Sequence, residues 1–216
     1  MDKLRQRGLL AALIVVAVLI ADQVLKIWVK THFYLGEDYE IFPWFHLRFI
    51  ENNGMAFGIE LWSKFFLTFL RIAAVIFLCI GIRKIYRCLE IRPGFLVAVA
   101  LITAGAAGNI FDCVAYGEIF SDPMPPQVAQ MFPAGGGYAG WFEGRVVDML
   151  YFPFFSFAFP QWIPFAGGHE FEFFQYIFNI ADSSICVGVF MLILFYSRDF
   201  YIAAAYLRGK GEKERK

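Results

Sequence analysis

Four long apolar stretches limit what this chain can fold into. A helix needs about 20 residues to cross the roughly 30 Å of hydrocarbon in a bilayer. Of the 216 residues, 59% are hydrophobic, well above the ~45–50% that is usual for a soluble domain. The stretches are residues 8–29, 61–82, 94–111 and 173–197. We therefore predict an all-α membrane protein, a bundle of four transmembrane helices that forms a single membrane-embedded domain over residues 1–216.

The basic residues predict which side of the membrane each loop occupies. Lysine and arginine cluster before the first stretch, between the second and third, and after the fourth. Cytoplasmic loops are enriched in these residues, so both termini and the loop at 83–92 are predicted to be cytoplasmic. Most acidic residues fall in the other two loops, residues 30–60 and 115–172, which we expect on the extracytoplasmic side. The pattern does not resemble a nucleic-acid footprint, so no nucleic-acid partner is expected.

The two outer loops have different patterns. Residues 45–49 alternate apolar and polar side chains, and Asn52-Asn53-Gly54 then marks a turn, so a small β-element is predicted on the membrane surface. Within the second loop, residues 117–143 are rich in Pro and Gly and are expected to be mobile. The aromatic run at 151–165 is broken by prolines, which exclude a spanning helix. An interfacial or re-entrant segment is predicted there.

Two aspartates are the strongest candidates for chemistry. Asp182 lies within the fourth apolar stretch, where an ionised carboxylate costs at least ~2.5–3.5 kcal/mol on insertion scales. Asp148 lies in the outer loop that must return to the same face of the membrane. Two neighbouring acids can share one proton and activate a water molecule. The pair is therefore interpreted as a proteolytic aspartyl dyad that needs neither a metal nor a cofactor.

Further polar residues are expected at the same depth. Asp22 and Lys26 are four apart on the first helix and are interpreted as a structural ion pair. Asn109 and Asp112 share one face near the outer end of the third helix, and Asn179 precedes Asp182 by three residues. From the residues alone, Asp112 could equally be a solvated helix end, and the asparagines could serve turns or helix packing.

Five ordered motifs resemble those of one family, the lipoprotein (type II) signal peptidases of bacteria. They lie at residues 22–26 (DQVLK), 51–57 (ENNGMAF), 105–112 (GAAGNIFD), 146–148 (VVD) and 179–182 (NIAD). Each motif alone is a weak signal, but together they cover essentially the whole chain. The resemblance implies an aspartyl endopeptidase of the bacterial cytoplasmic (inner) membrane, with its active site near the extracytoplasmic face.

The resemblance also implies roles for particular residues. Asp148 and Asp182 are the catalytic dyad, and the pair Asp22 and Lys26 is structural. The residues that bind substrate or support the dyad are Asn52, Gly54, Gly108, Asn109, Asp112 and Asn179. The implied substrate is a prolipoprotein, cut before a diacylglyceryl-modified cysteine, with membrane lipid as the other partner.

Two features depart from the family pattern, and one alternative function remains open. Cys113 stands where the family usually has an arginine, so whatever that arginine holds must be held otherwise. Residues 117–143 and 151–172 resemble insertions. A small proton-coupled transporter would also use intramembrane acids, although the two halves of the chain show no repeat.

Overall fold

The computed structural model describes residues 3–52, 64–165 and 167–208, and within them five helices. These are α1 (Lys3–His32), α2 (Lys64–Ile85), α3 (Pro93–Ile119), α4 (Ile180–Phe195) and α5 (Ser197–Leu207). By length and composition, α1 and α3 can each cross a membrane, and α4 with α5 can do so as a pair bent by 95°. The molecule is therefore a membrane protein built from helices and small sheets.

Among the described residues, six strands lie between the helices. They are β1 (Asp38–Phe42), β2 (Phe45–Asn52), β3 (Val146–Tyr151), β4 (Phe155–Ala158), β5 (Glu170–Phe173) and β6 (Ile177–Phe178). One sheet has the antiparallel order β1-β2-β3-β6, and β4 with β5 forms a separate two-stranded sheet. The alternation at residues 45–49 thus marks a strand as predicted, and Leu47 and Phe49 are its buried side chains.

The fourth apolar stretch differs from the prediction. A helix was expected from residue 173, but residues 170–173 and 177–178 are strands and the helix begins only at Ile180. Strand β6 pairs with β3, and Asn179 then caps the helix. Aromatic and β-branched residues suit strands as well as apolar helices, so the hydrophobic run alone could not separate the two. Asp182 consequently lies in the first helical turn and not deep within a span.

The other bounds differ less. The third helix continues to Ile119 and not 111, because no proline interrupts it before then. The interfacial segment predicted at 151–165 contains the end of β3 and strand β4, and β5 follows it at Glu170–Phe173 to complete a hairpin. Asp148, expected in a loop, lies on β3 beside β2. Within the predicted turn, Asn53 and Gly54 lie outside the described residues.

Small residues let α3 and α4 approach closely. A Cβ on Gly105 would lie 2.2 Å from the carbonyl oxygen of Ala181, and a Cβ on Gly108 would lie 2.8 Å from a carboxylate oxygen of Asp22. On α4, a Cβ on Gly188 would lie 2.6 Å from the carbonyl oxygen of Ala98. Close backbone approach through small residues is typical of helix pairs in membranes. The contact fixes the start of α4 against α3 and α1.

The segment 117–143 is anchored at several points. Phe120 and Ala129 are buried in the same cluster as Val29, Phe49 and Val147, where the end of α1 meets the four-stranded sheet. Tyr138 packs against this cluster. The mobility of this segment stays a prediction. Its buried side chains nevertheless belong to the hydrophobic core.

Candidate active site

Strand β3 places Asp148 in a buried position between two amide side chains. Its side chain is 2% exposed. The amide of Asn52, the last residue of the neighbouring strand β2, donates to one carboxylate oxygen. The amide of Asn179 donates to the other at 2.6 Å. Asp148 is therefore held on both oxygens by donors from different segments.

Asn179 also holds the second acid. It is the N-cap of α4, and its side-chain oxygen accepts from the backbone N–H of Asp182 at 2.8 Å. The Asp182 carboxylate receives the amide of Asn109 on α3 at 2.8 Å. Its other oxygen accepts the backbone N–H of Asn179 at 3.4 Å, which completes a capping box. One asparagine thus contacts both acids, and Asp182 remains half-buried beside the buried Asp148.

The burial of Asp148 changes its acidity. Loss of solvent and then the negative charge of Asp182 raise the pKa of Asp148 to about 7, against the opposing effects of Lys26 and the two amide donors. A carboxyl group with such a pKa exchanges its proton near neutral pH. The arrangement can therefore hold one proton on Asp148 beside the half-buried Asp182.

A buried ion cluster contacts the residues that hold the two acids. The ammonium of Lys26 lies 2.9 Å from Asp22 and 2.7 Å from Asp112, with all three side chains at most 1% exposed. The same ammonium donates to the side-chain oxygen of Asn109 at 2.8 Å. Asp22 also accepts the backbone N–H of Ala181 at 2.9 Å, in the first turn of α4. The predicted Asp22–Lys26 pair is present, and Asp112 belongs to it and is not a solvated helix end.

The predicted glycines have different outcomes. A Cβ on Gly108 would lie 2.8 Å from Asp22 and 3.3 Å from Ala181. Because Gly108 has no side chain, α1, α3 and α4 can pack closely at this point. Gly54 lies outside the described residues. All the other predicted site residues, from five separate segments of the chain, meet in one region.

Arg71 stands beside Cys113, the residue that departs from the family pattern. Its guanidinium, from α2, donates to the Cys113 sulfur at 3.7 Å. A guanidinium is thus present near this position although the residue after Asp112 does not supply it. Arg71 is a charged residue within the second apolar stretch, residues 61–82, and this was the only sign of it in the sequence.

Sequence reasoning also missed a second buried ion cluster, next to Asn52. The carboxylate of Glu51 receives the ammonium of Lys30 on one oxygen and the guanidinium of Arg145 at 3.1 Å on the other. Arg145 also pairs with Asp122 at 2.9 Å. Lys30 is fully buried under the rings of Phe49, Phe120 and Tyr138. The contact follows from the register of β2 and β3, in which Glu51 lies opposite Val147, two residues after Arg145. The sequence offered no signal for it.

Gln23 was likewise overlooked as a contributor. Its amide donates to Asp112 at 2.9 Å, and its oxygen accepts the hydroxyl of the buried Tyr116 at 3.0 Å. Its position next to Asp22 in the first motif was the only signal. Among the described residues, no group of three His, Cys, Asp or Glu side chains is placed to hold a metal ion.

The fold and the site define a membrane enzyme with two acids positioned by asparagines. The family model for signal peptidase (SPase) II matches residues 14–198. The chain therefore belongs to the signal peptidase II family. It is an aspartic endopeptidase that removes the signal peptide from prolipoproteins.

Individual relatives agree with this assignment. A lipoprotein signal peptidase from Porphyromonas gingivalis is 50% identical over 198 residues, covering 92% of this chain and 87% of the relative. A lipoprotein signal peptidase from Amoebophilus asiaticus is 34% identical over 181 residues, covering 81% of this chain and 72% of the relative. A solved bacterial membrane enzyme, determined by the in meso method at 2.3 Å resolution, superposes with a TM-score of 0.58 at 27% identity over 88% of each chain.

Proposed function

We propose that Asp148 and Asp182 are the catalytic acids of this peptidase. The observation that carries the proposal is the double contact of Asn179, whose amide donates to Asp148 while its oxygen accepts from the Asp182 backbone. One buried side chain, hydrogen-bonded at both ends, then sets the position of one acid relative to the other. Preorganised geometry of this kind is what general acid–base catalysis requires.

The two acids act as proton donor and proton acceptor, and their different surroundings decide which is which. Asp148 holds the shared proton, because burial and the charge of Asp182 raise its pKa to about 7. Asp182, which is half-buried, takes a proton from water as the water oxygen attacks the scissile carbonyl carbon. Asp148 gives its proton to the carbonyl oxygen, and a neutral tetrahedral diol results. On collapse, Asp182 protonates the leaving amine and a diol hydroxyl returns its proton to Asp148.

The surrounding residues keep the acids in place. Asn52, Asn109 and Asn179 orient the two carboxyl groups, and Gly108 supports them by letting α3 lie against Asp22 and Ala181. For Gly54, which lies outside the described residues, the supporting role implied by the family resemblance stays a prediction. Asp22 and Lys26 are structural, and Asp112 supports them through its ion pair at 2.7 Å. The chemistry requires no metal and no cofactor, because the two acids supply every proton transfer.

The substrate carries its own membrane anchor. We infer that the enzyme cuts before a cysteine that bears a diacylglyceryl group. Each buried CH₂ contributes about 0.8 kcal/mol, so the acyl chains can bring the scissile bond to the membrane surface and keep it there. Because these acyl chains lie among the lipids of the bilayer, membrane lipid is the second partner of the site.

The charge pattern supports a location for the enzyme. Four spanning segments with both termini in the cytoplasm would make residues 1–216 one domain of a bacterial cytoplasmic (inner) membrane protein. The two acids would then lie near the extracytoplasmic face, beside the four-stranded sheet and an interfacial segment. This is the side on which a translocated signal peptide ends.

Single substitutions test the catalytic pair. Asp148→Asn and Asp182→Asn should each reduce cleavage of a lipidated precursor by at least about 100-fold, the lower range of acid–base contributions. Asp38→Asn, which removes an acid on the exposed strand β1, is the matched control and should stay close to wild type. A correctly inserted Asn variant with cleavage within a few-fold of wild type would refute the pair. An equal rate on the precursor without its diacylglyceryl group would refute the lipid requirement.

A further inference from the structure

The hairpin of β4 and β5 has two chemically different faces. Its register places Phe155 opposite Phe173 and Phe157 opposite Phe171. Cross-strand partners share a face and alternate residues lie on the other. The first face therefore consists of these four rings, here called the phenylalanine face. The opposite face carries Ser156, Ala158, Glu170 and Glu172.

The phenylalanine face is open to its surroundings. Its four rings are between 38% and 53% exposed. Phe155 stacks on Phe173 with ring centroids 4.9 Å apart, and Phe157 meets Phe171 at 5.2 Å. The rings thus contact each other in two neighbouring cross-strand pairs on the same face of the hairpin, and all four are partly exposed. At the tip, Trp162 and Phe165 are exposed at 80% and 104%.

Such a hairpin needs something to cover it. An isolated two-stranded sheet is at best marginally stable in water, and its stability depends on an apolar face that packs against another surface. Exposed contiguous apolar patches mark membrane or protein interaction sites. Here the other face carries the charges: Glu170 is exposed, and Glu172 accepts a hydrogen bond from the hydroxyl of Tyr151. Only one face therefore suits contact with hydrocarbon.

The position of the hairpin in the chain favours the membrane as the covering surface. Only residues 174–179 separate β5 from helix α4, which begins at Ile180 and forms part of a bent candidate span. At ~3.3 Å per residue, those residues keep the hairpin within roughly 20–25 Å of that helix start. Tryptophan is enriched where a protein crosses from water to lipid, and phenylalanine is among the residues that interfacial segments bury at the boundary between headgroups and acyl chains.

We propose that the phenylalanine face rests on the phospholipid bilayer at the boundary between headgroups and acyl chains, with Glu170 turned toward water. The hairpin is then a membrane-docking element that lies in the chain between Asp148 and Asp182. The proposal goes beyond the cleavage reaction. It requires no particular role for either acid.

Tryptophan substitutions on opposite faces test the orientation. Phe157→Trp and Ser156→Trp are neighbours on β4, and Phe171→Trp and Glu170→Trp form a second pair on β5. The full chain is reconstituted into phosphatidylcholine vesicles with or without bromine atoms at a shallow acyl position. The fluorescence of the wild-type protein, with its five native tryptophans, is subtracted.

The proposal expects bromolipid to quench the added fluorescence at positions 157 and 171 at least twice as strongly as at 156 and 170. Equal quenching on both faces would overturn the one-sided orientation. Unquenched fluorescence at 157 and 171 would show that protein or solvent covers the face, and would overturn membrane contact. If one variant fails to insert, the pair on the other strand gives the answer, and none of these outcomes depends on cleavage activity.

Discussion

Asn179 is the residue on which the geometry of the site depends most. Its amide contacts the carboxylate of Asp148, the side-chain oxygen of Asn109 and the carbonyl of Val147, at 2.6 to 3.2 Å. Its side-chain oxygen caps α4 through the N–H of Asp182. One side chain therefore performs two separable tasks, helix capping and positioning of the acids.

Two substitutions of Asn179 separate those tasks. Asn179→Ala removes the cap and the amide donor, whereas Asn179→Ser keeps a capping oxygen but loses the donor to Asp148. We expect both variants to lose at least about 10-fold in cleavage, in line with the lower range for misplaced catalytic groups. The Ala variant should also be less stable than the Ser variant by about 1 kcal/mol, measured by thermal unfolding in detergent. Wild-type cleavage by the Ser variant would contradict the positioning role.

The contact between α3 and α4 shows how helix packing places the second acid. Gly105 lies against the backbone of Ala181, one residue before Asp182. By contrast, a Cβ on Gly81 in α2 would have no heavy atom within 4 Å. Equivalent substitutions at these two glycines should therefore have opposite effects.

Gly105→Ala should destabilise the protein by about 1–3 kcal/mol, the usual cost of overpacking. Gly81→Ala, the matched control, should be neutral or stabilising by up to about 1 kcal/mol through helix propensity. Thermal unfolding in the same detergent measures both. Similar melting temperatures for the two variants would show that α3 and α4 are not packed as closely as described.

The Lys30–Glu51–Arg145 cluster joins helix α1 to the strands that carry Asn52 and Asp148. Glu51→Gln would leave the ammonium of Lys30 buried without its carboxylate, which should cost about 3–5 kcal/mol. Asp122→Asn removes only the exposed partner of Arg145 and should cost less than about 1 kcal/mol. Denaturation of both variants checks the difference. A Glu51→Gln variant as stable as the Asp122→Asn control would mean that the cluster is open to water.

Across the whole molecule, the sequence predicted which polar residues converge better than it predicted the bounds of the helices and strands that carry them. Acids, amides and one lysine are costly inside an apolar chain, so their convergence followed from composition and depth. The boundary between β6 and α4 did not follow, because aromatic and β-branched residues at 173–178 suit either element. The pairing of Glu51 with Lys30 and Arg145 depends on strand register, which one sequence does not specify.

The site is assembled from residues that are far apart in the sequence, which is why the sequence alone did not predict their detailed contacts. Asp148 reaches its partners only because β3 lies between β2 and β6. Strands β2 and β3 are separated in the chain by helices α2 and α3, so their pairing joins residues that are far apart in sequence. Motif order therefore predicted which residues meet, and the structure supplied how they meet.

Infrared titration of the carboxyl groups tests the proton shared by the acids most directly. Asp148 binds its proton below about pH 7 because of burial and the charge of Asp182, so the protonated-carboxyl band should disappear as pH rises through that value. This change should be absent in Asp148→Asn. In Asp182→Asn it should shift to lower pH, because the neighbouring charge is gone while the burial remains. An identical pH-dependent band in wild type and Asp148→Asn would contradict the proposal that Asp148 holds the proton.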